Sequence, residues 1–126
     1  MFGWASVVAL IAYLTETHVA GLICFGYPLC GAGDRAKLRG QVLLDLRTPI
    51  LFIQGTRDKL CPLDLFDQAR EKMSAPSVLH VVTGGDHSLV VSKTELKAQG
   101  VTQAEVDCSI GAAIASFLRT LPRTET

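Results

Sequence analysis

Two residues in this chain have the types and spacing for proton-transfer chemistry, Asp58 and His87. A carboxylate that fixes one imidazole nitrogen lets the other take a proton from a nucleophile, which makes such a pair two-thirds of a catalytic triad. Both side chains must then arrive at one place from separate segments. Asp58 follows the run Ile50-Leu51-Phe52-Ile53-Gln54-Gly55, and His87 follows Ser77 to Val82 and the loop Gly84-Gly85-Asp86. The alternative role for each is local, with Asp58 capping a turn or the helix at Pro62 and His87 an ordinary loop residue. His80 lies inside an apolar run and His18 in a polar turn, so neither is a good candidate.

A parallel sheet is the element that would bring the pair together. Pro49 suits the first position of a strand, where a missing N–H costs least. Ile50 to Ile53 is continuously apolar, which predicts a strand covered on both faces and ended by Gly55. Ser77 to Val82 predicts another strand, in which Val78, His80 and Val82 alternate with Leu79 and Val81. Val19 to Phe25 predicts a third, broken by Gly26-Tyr27-Pro28, and Met1-Phe2-Gly3 reads as the tail of a fourth.

Helices are predicted between the strands. Ala5 to Thr15 is short and very apolar. Pro62 to Met73 has proline in the first turn, acidic residues early and basic ones late, with Leu65, Phe66, Ala69 and Met73 at helical spacing. Ser92 to Glu95 and Thr102 to Glu105 both match the capping-box pattern. The second opens the clearest helix, where Val106, Ile110, Ala113, Ile114, Phe117 and Leu118 form one stripe that Pro122 ends. Cys30 to about Gly40 reads as a polar loop, and Val42-Leu43-Leu44 as a short helical turn. The alternation predicts an α/β fold, a parallel sheet with flanking helices. All C-terminal strand ends then share one edge, where ligands collect and where Asp58 and His87 are expected.

Acid first and histidine second, each after its own strand, is the chain order of α/β-hydrolases, with the nucleophile earlier on a Gly-x-Ser-x-Gly elbow. The only place for that elbow is Gly3-Trp4-Ala5-Ser6-Val7. Ala5, which has no nucleophilic atom, holds the nucleophile position, and Val7 replaces the second glycine. Ser6 is one place late, where the backbone N–H should serve the oxyanion. A shifted register would make Ser6 the nucleophile but would put Trp4 in the first glycine position.

Composition narrows the partners. Twelve basic and twelve acidic residues give a formal net charge of zero, unlike the basic footprint of a nucleic-acid binder. Apolar residues make up 48% of the 126, enough for one packed domain. No stretch reaches the roughly 18–20 apolar residues that span a bilayer. The apolar N-terminus lacks a basic leader, so a soluble protein without a targeting signal is expected. Cys24 and Cys108 sit in apolar runs and are expected to be buried, Cys30 and Cys61 form no Cys-x-x-Cys motif, and a reducing compartment is expected. The spacing predicts no metal site and no cofactor.

Several segments together resemble a known family. They are Phe2-Gly3-Trp4, Gly26-Tyr27-Pro28-Leu29, Leu43-Leu44-Asp45-Leu46, Thr48-Pro49-Ile50-Leu51-Phe52, Arg70-Glu71-Lys72 and Gly100-Val101-Thr102-Gln103. The chain resembles the family of the third subunit of non-specific lethal (NSL) histone acetyltransferase complexes and the related testis-expressed α/β-hydrolase-like proteins. The strand-Gly-x-x-Asp and Asp-His-Ser pieces are also similar to bacterial dienelactone-hydrolase-like proteins. The resemblance runs from the elbow to the last helix, and Ser92 to Val106 leans toward the NSL subunit. It implies the C-terminal half of an α/β-hydrolase fold, one partial domain over residues 1–122 with a short tail at 123–126. It implies a scaffold in a nuclear complex, with protein subunits as partners, no direct nucleic acid, no membrane and no identified small-molecule substrate. The serine lost from the elbow of that subunit agrees with Ala5, whereas Asp58 and His87 look more like the hydrolase relatives. A serine hydrolase of esterase or peptidase type, using Ser6, His87 and Asp58, is the competing expectation.

Overall fold

A computed structural model describes residues 20–30 and 35–121, without the side chains of residues 35–39. The expected strand tail Met1-Phe2-Gly3, the helix Ala5 to Thr15, the turn at His18, the elbow with Ala5 and Ser6, and the tail 123–126 lie outside the described residues. In chain order the elements are β1 (Leu22–Phe25), α1 (Arg35–Asp45), β2 (Ile50–Gly55), α2 (Leu63–Glu71), β3 (Ser77–Val82), α3 (Lys93–Gln99) and α4 (Gln103–Thr120).

The continuous apolar run makes β2 the middle of a parallel sheet ordered β1-β2-β3. All six of its residues are buried. Ile50 and Phe52 point to one face and pack with Tyr27, Leu43 and Phe66. Leu51 and Ile53 point to the other and pack with Val82, Ile110 and Phe117. Each side chain buried in this way contributes about 1.5–3 kcal/mol relative to exposure. Phe52 and Phe66 meet edge to face with centroids 4.8 Å apart, and Tyr27 meets Phe52 similarly at 5.9 Å.

Several expectations are corrected. The segment read as a polar loop and a short turn contains α1, an 11-residue helix. Gly40 suggested a break, yet an interior glycine costs a helix only ~1 kcal/mol, less than fully burying Leu43 returns. Leu46, just past its end, is buried as well. The strand expected from Val19 begins at Leu22, and its last residue, Phe25, is 54% exposed. β3 spans the expected residues, but it closes one side of the described sheet, so Val78 and Val81 are both exposed. In α2, Phe66 takes the core position while Leu65 turns to solvent.

The capping signals are realised unequally. Thr102 and Glu105 complete the box at the start of α4, with Glu105 N–H donating to Thr102 Oγ1 at 3.1 Å and Thr102 N–H to Glu105 Oε1 at 3.3 Å. At α3 only half forms, Glu95 N–H to Ser92 Oγ at 3.2 Å, and the Glu95 carboxylate lies instead 4.0 Å from Arg57. On α4, Ile110 and Phe117 are buried, with Val106 and Ile114 partly buried beside them. Leu118, expected in the stripe, is exposed. Cys108, expected to be buried, is exposed as well, since it lies roughly 200° round the helix from Ile110.

Candidate active site

The end of β2 delivers the acid. Asp58 N–H turns back to Gly55 O at 3.3 Å, and Cys61 N–H to Asp58 O at 3.1 Å, closing a tight turn. The Asp58 side chain is fully buried and accepts from Leu60 N–H through Oδ1 at 2.9 Å. Its other oxygen, Oδ2, is 2.9 Å from His87 Nδ1. A carboxylate oxygen accepts, so the hydrogen in this bond sits on Nδ1, and in the neutral ring the lone pair is then on Nε2. That is the tautomer a general base requires.

The histidine arrives on a longer loop after β3. Asp86 organises it, its Oδ1 accepting from Ser88 N–H at 2.8 Å and Val90 N–H at 3.0 Å. Leu89 takes the left-handed conformation, φ 66°, which a bulky side chain seldom adopts. The loop is held from α4 by Gln103, whose Oε1 accepts from Val91 N–H at 3.0 Å and whose Nε2 donates to Leu89 O at 3.3 Å. About a third of the His87 side chain is exposed, so the ring spans from the buried carboxylate to the surface.

Glycines let the two loops meet. A Cβ on Gly55 would lie 2.0 Å from Gly85 O, so only bare backbone fits at this crossing. Arg57 N–H donates to Gly85 O at 2.9 Å and Gly84 N–H to Thr56 Oγ1 at 2.8 Å, stitching the segments together. Gly26, at φ 71°, ends β1 directly under the histidine, where an added Cβ would come within 2.7 Å of His87 O. Gln54, fully buried, anchors this segment by accepting from Tyr27 N–H. Among the described residues no group of three or more acidic, histidine or cysteine side chains could hold a metal ion, and no helix is long and apolar enough to cross a membrane.

A family model of the alpha/beta hydrolase domain matches residues 4–119, nearly the whole chain. The chain belongs to that family. No solved structure matches it. In this alpha/beta hydrolase domain the structure brings together two of the residues singled out by sequence, Asp58 and His87. Ser6 and Ala5 lie outside the described residues. His80 sits within β3, away from the loop ends.

Sequence reasoning missed the residues that hold the pair in place. Gln103 was visible only as the second residue of a capping box, although a glutamine there can reach back over the preceding loop. In the sequence Asp86 is simply the residue before the histidine, and only the structure shows it as the acceptor that folds the loop. The glycines at 26, 55 and 85 were read as strand ends and loop breaks, and their close-packing role needs the third dimension.

Proposed function

We propose that this alpha/beta hydrolase domain is a non-catalytic scaffold subunit of a nuclear histone acetyltransferase complex of NSL type, or a fragment of one. The observation that carries the reading is Ala5 at the nucleophile position of the only elbow-like segment, Gly3 to Val7. Without an oxygen there, a well-set acid and histidine have nothing to activate along the hydrolase route. The pair then serves as a clasp, a hydrogen bond that ties the turn after β2 to the loop after β3. The partners are protein subunits and the location is the nucleus, both following from the resemblance of the segments named above. Two measurements test this. A fluorophosphonate probe should leave the purified protein unlabelled, and the tagged protein should co-purify with an acetyltransferase from nuclear extract. Labelling that disappears in Ser6→Ala would overturn the non-catalytic reading, and a cytoplasmic protein without acetyltransferase would overturn the assignment to the complex.

One observation favours a second reading, a serine hydrolase of esterase or peptidase type. The Asp58–His87 hydrogen bond has the length and tautomer that a triad uses, and the acid is fully buried. Under that reading Ser6 is the nucleophile, His87 the base and Asp58 the orienting acid. It requires ester or peptide hydrolysis that is lost in both Ser6→Ala and His87→Ala.

A further inference from the structure

Cys30 and Cys61 take no part in the acid–histidine pair, yet the fold sets them side by side. Cys30 N–H donates to Leu60 O at 2.7 Å. That bond seats Cys30 against the peptide that joins Leu60 to Cys61, so covalent geometry keeps the two cysteine Cα atoms within roughly 7 Å of each other. Disulfides join Cα atoms roughly 4.4–6.8 Å apart, so that approach brings the pair near the range a bridge needs. The side chains agree, since Cys61 belongs to the core cluster against which Cys30 packs. Cys61 also lies close enough to the Leu29 backbone and to Cys30 for both to act on its thiol.

Access divides the roles. Cys30 is half-buried and open to attack from solvent, whereas Cys61 is 1% exposed. Burial pushes the Cys61 thiol up to about 12, so near neutral pH it stays protonated and cannot react first.

We infer that Cys30 and Cys61 form a redox modification site, a dithiol that closes to an intramolecular disulfide by exchange with a low-molecular-weight disulfide. The Cys30 thiolate attacks one sulfur of the small disulfide, forming a mixed disulfide and expelling the other sulfur as a thiolate. The Cys61 thiol then gives its proton to solvent base and attacks Cys30 Sγ, expelling the second small thiolate. Two protein thiols are oxidised and one small disulfide is reduced to two thiols, so atoms and electrons balance. The bridge would join the segment that begins at Gly26, beneath His87, to the turn whose Cys61 N–H holds Asp58 O. Oxidation would therefore lock the acid turn in place, whether or not the pair performs catalysis.

The test incubates the full folded chain with glutathione disulfide and follows it by intact mass and peptide mapping. A glutathione adduct on Cys30 is expected first, then a Cys30–Cys61 cross-link whose formation speeds up about tenfold per pH unit, as the thiolate fraction of Cys61 rises. Cys61→Ser should stall at the Cys30 adduct. Mapping in urea keeps the result readable if a variant misfolds, because an unfolded chain pairs its cysteines by loop length, which favours Cys24–Cys30 over Cys30–Cys61. A Cys30–Cys61 preference seen only in the folded wild type supports the site. Glutathione confined to Cys108, or Cys30 pairing with Cys24 as often as with Cys61, would overturn it.

Discussion

The turn that carries Asp58 and the loop that carries His87 end at one hydrogen bond but are built in opposite ways. The acid turn grows out of β2, whose six residues are all buried, and it closes within three residues of Gly55. Its side chain is fixed by a backbone donor two residues away. The histidine loop leaves the outer strand of the described sheet, with its exposed valines, bends through the left-handed Leu89, and depends on Gln103 from a helix that follows it in sequence. One partner is set by the core and the other by long-range tethers. An acid that orients a base needs to be immobile, whereas a base at the surface has to meet whatever approaches, and the two constructions match those two requirements.

The contrast can be broken or sharpened by substitution. Gly55→Ala should have the largest effect, because its Cβ would meet the backbone of Gly85 at 2.0 Å and force the two segments apart. A loss of about 3 kcal/mol in urea unfolding is expected, with the His87 ring resonances shifting as its bond to Asp58 breaks. Asp58→Ala comes next, at about 2 kcal/mol, since it strips the Leu60 N–H and His87 Nδ1 of their acceptor. Gln103→Ala should cost about 1 kcal/mol and act on one side alone. Hydrogen exchange at Val91 should quicken while Leu60 and Cys61 keep their protection. If the acid turn loosens equally, the two regions are one cooperative unit and the contrast fails. Gly40→Ala in α1 is the smallest and of opposite sign, a gain of about 0.5–1 kcal/mol in the same unfolding assay. Nothing lies within 4 Å of the added Cβ, and exchange in the histidine loop should not change.

The sequence made one of these regions far more legible than the other. Pro49, the apolar run and Gly55 define β2 and the acid turn with short-range signals, and the structure follows them closely. β3 and the capping box of α4 were equally plain because their signals are local. What lay between was harder. The interior glycine hid α1, and only burial of Leu43 and Leu46 by the sheet explains why the helix persists. The stripe on α4 is one residue narrower than its periodicity predicts, since Leu118 satisfies the helical period yet falls outside the arc the sheet covers. The histidine was found from chain order, but its anchors, Gln103 above all, come from a segment whose position no local pattern specifies.

The crossing of Gly55 and Gly85 has a consequence for how this domain can vary. Most steric conflicts have a remedy, in which a large residue at one position is offset by a smaller one at its neighbour. Here the atom that blocks a side chain on Gly55 is the Gly85 carbonyl oxygen, which every amino acid carries. No replacement at position 85 can remove it. A screen for second-site suppressors of Gly55→Ala should therefore recover no substitution at position 85, and any that arise should fall in residues that set the path of one loop or the other.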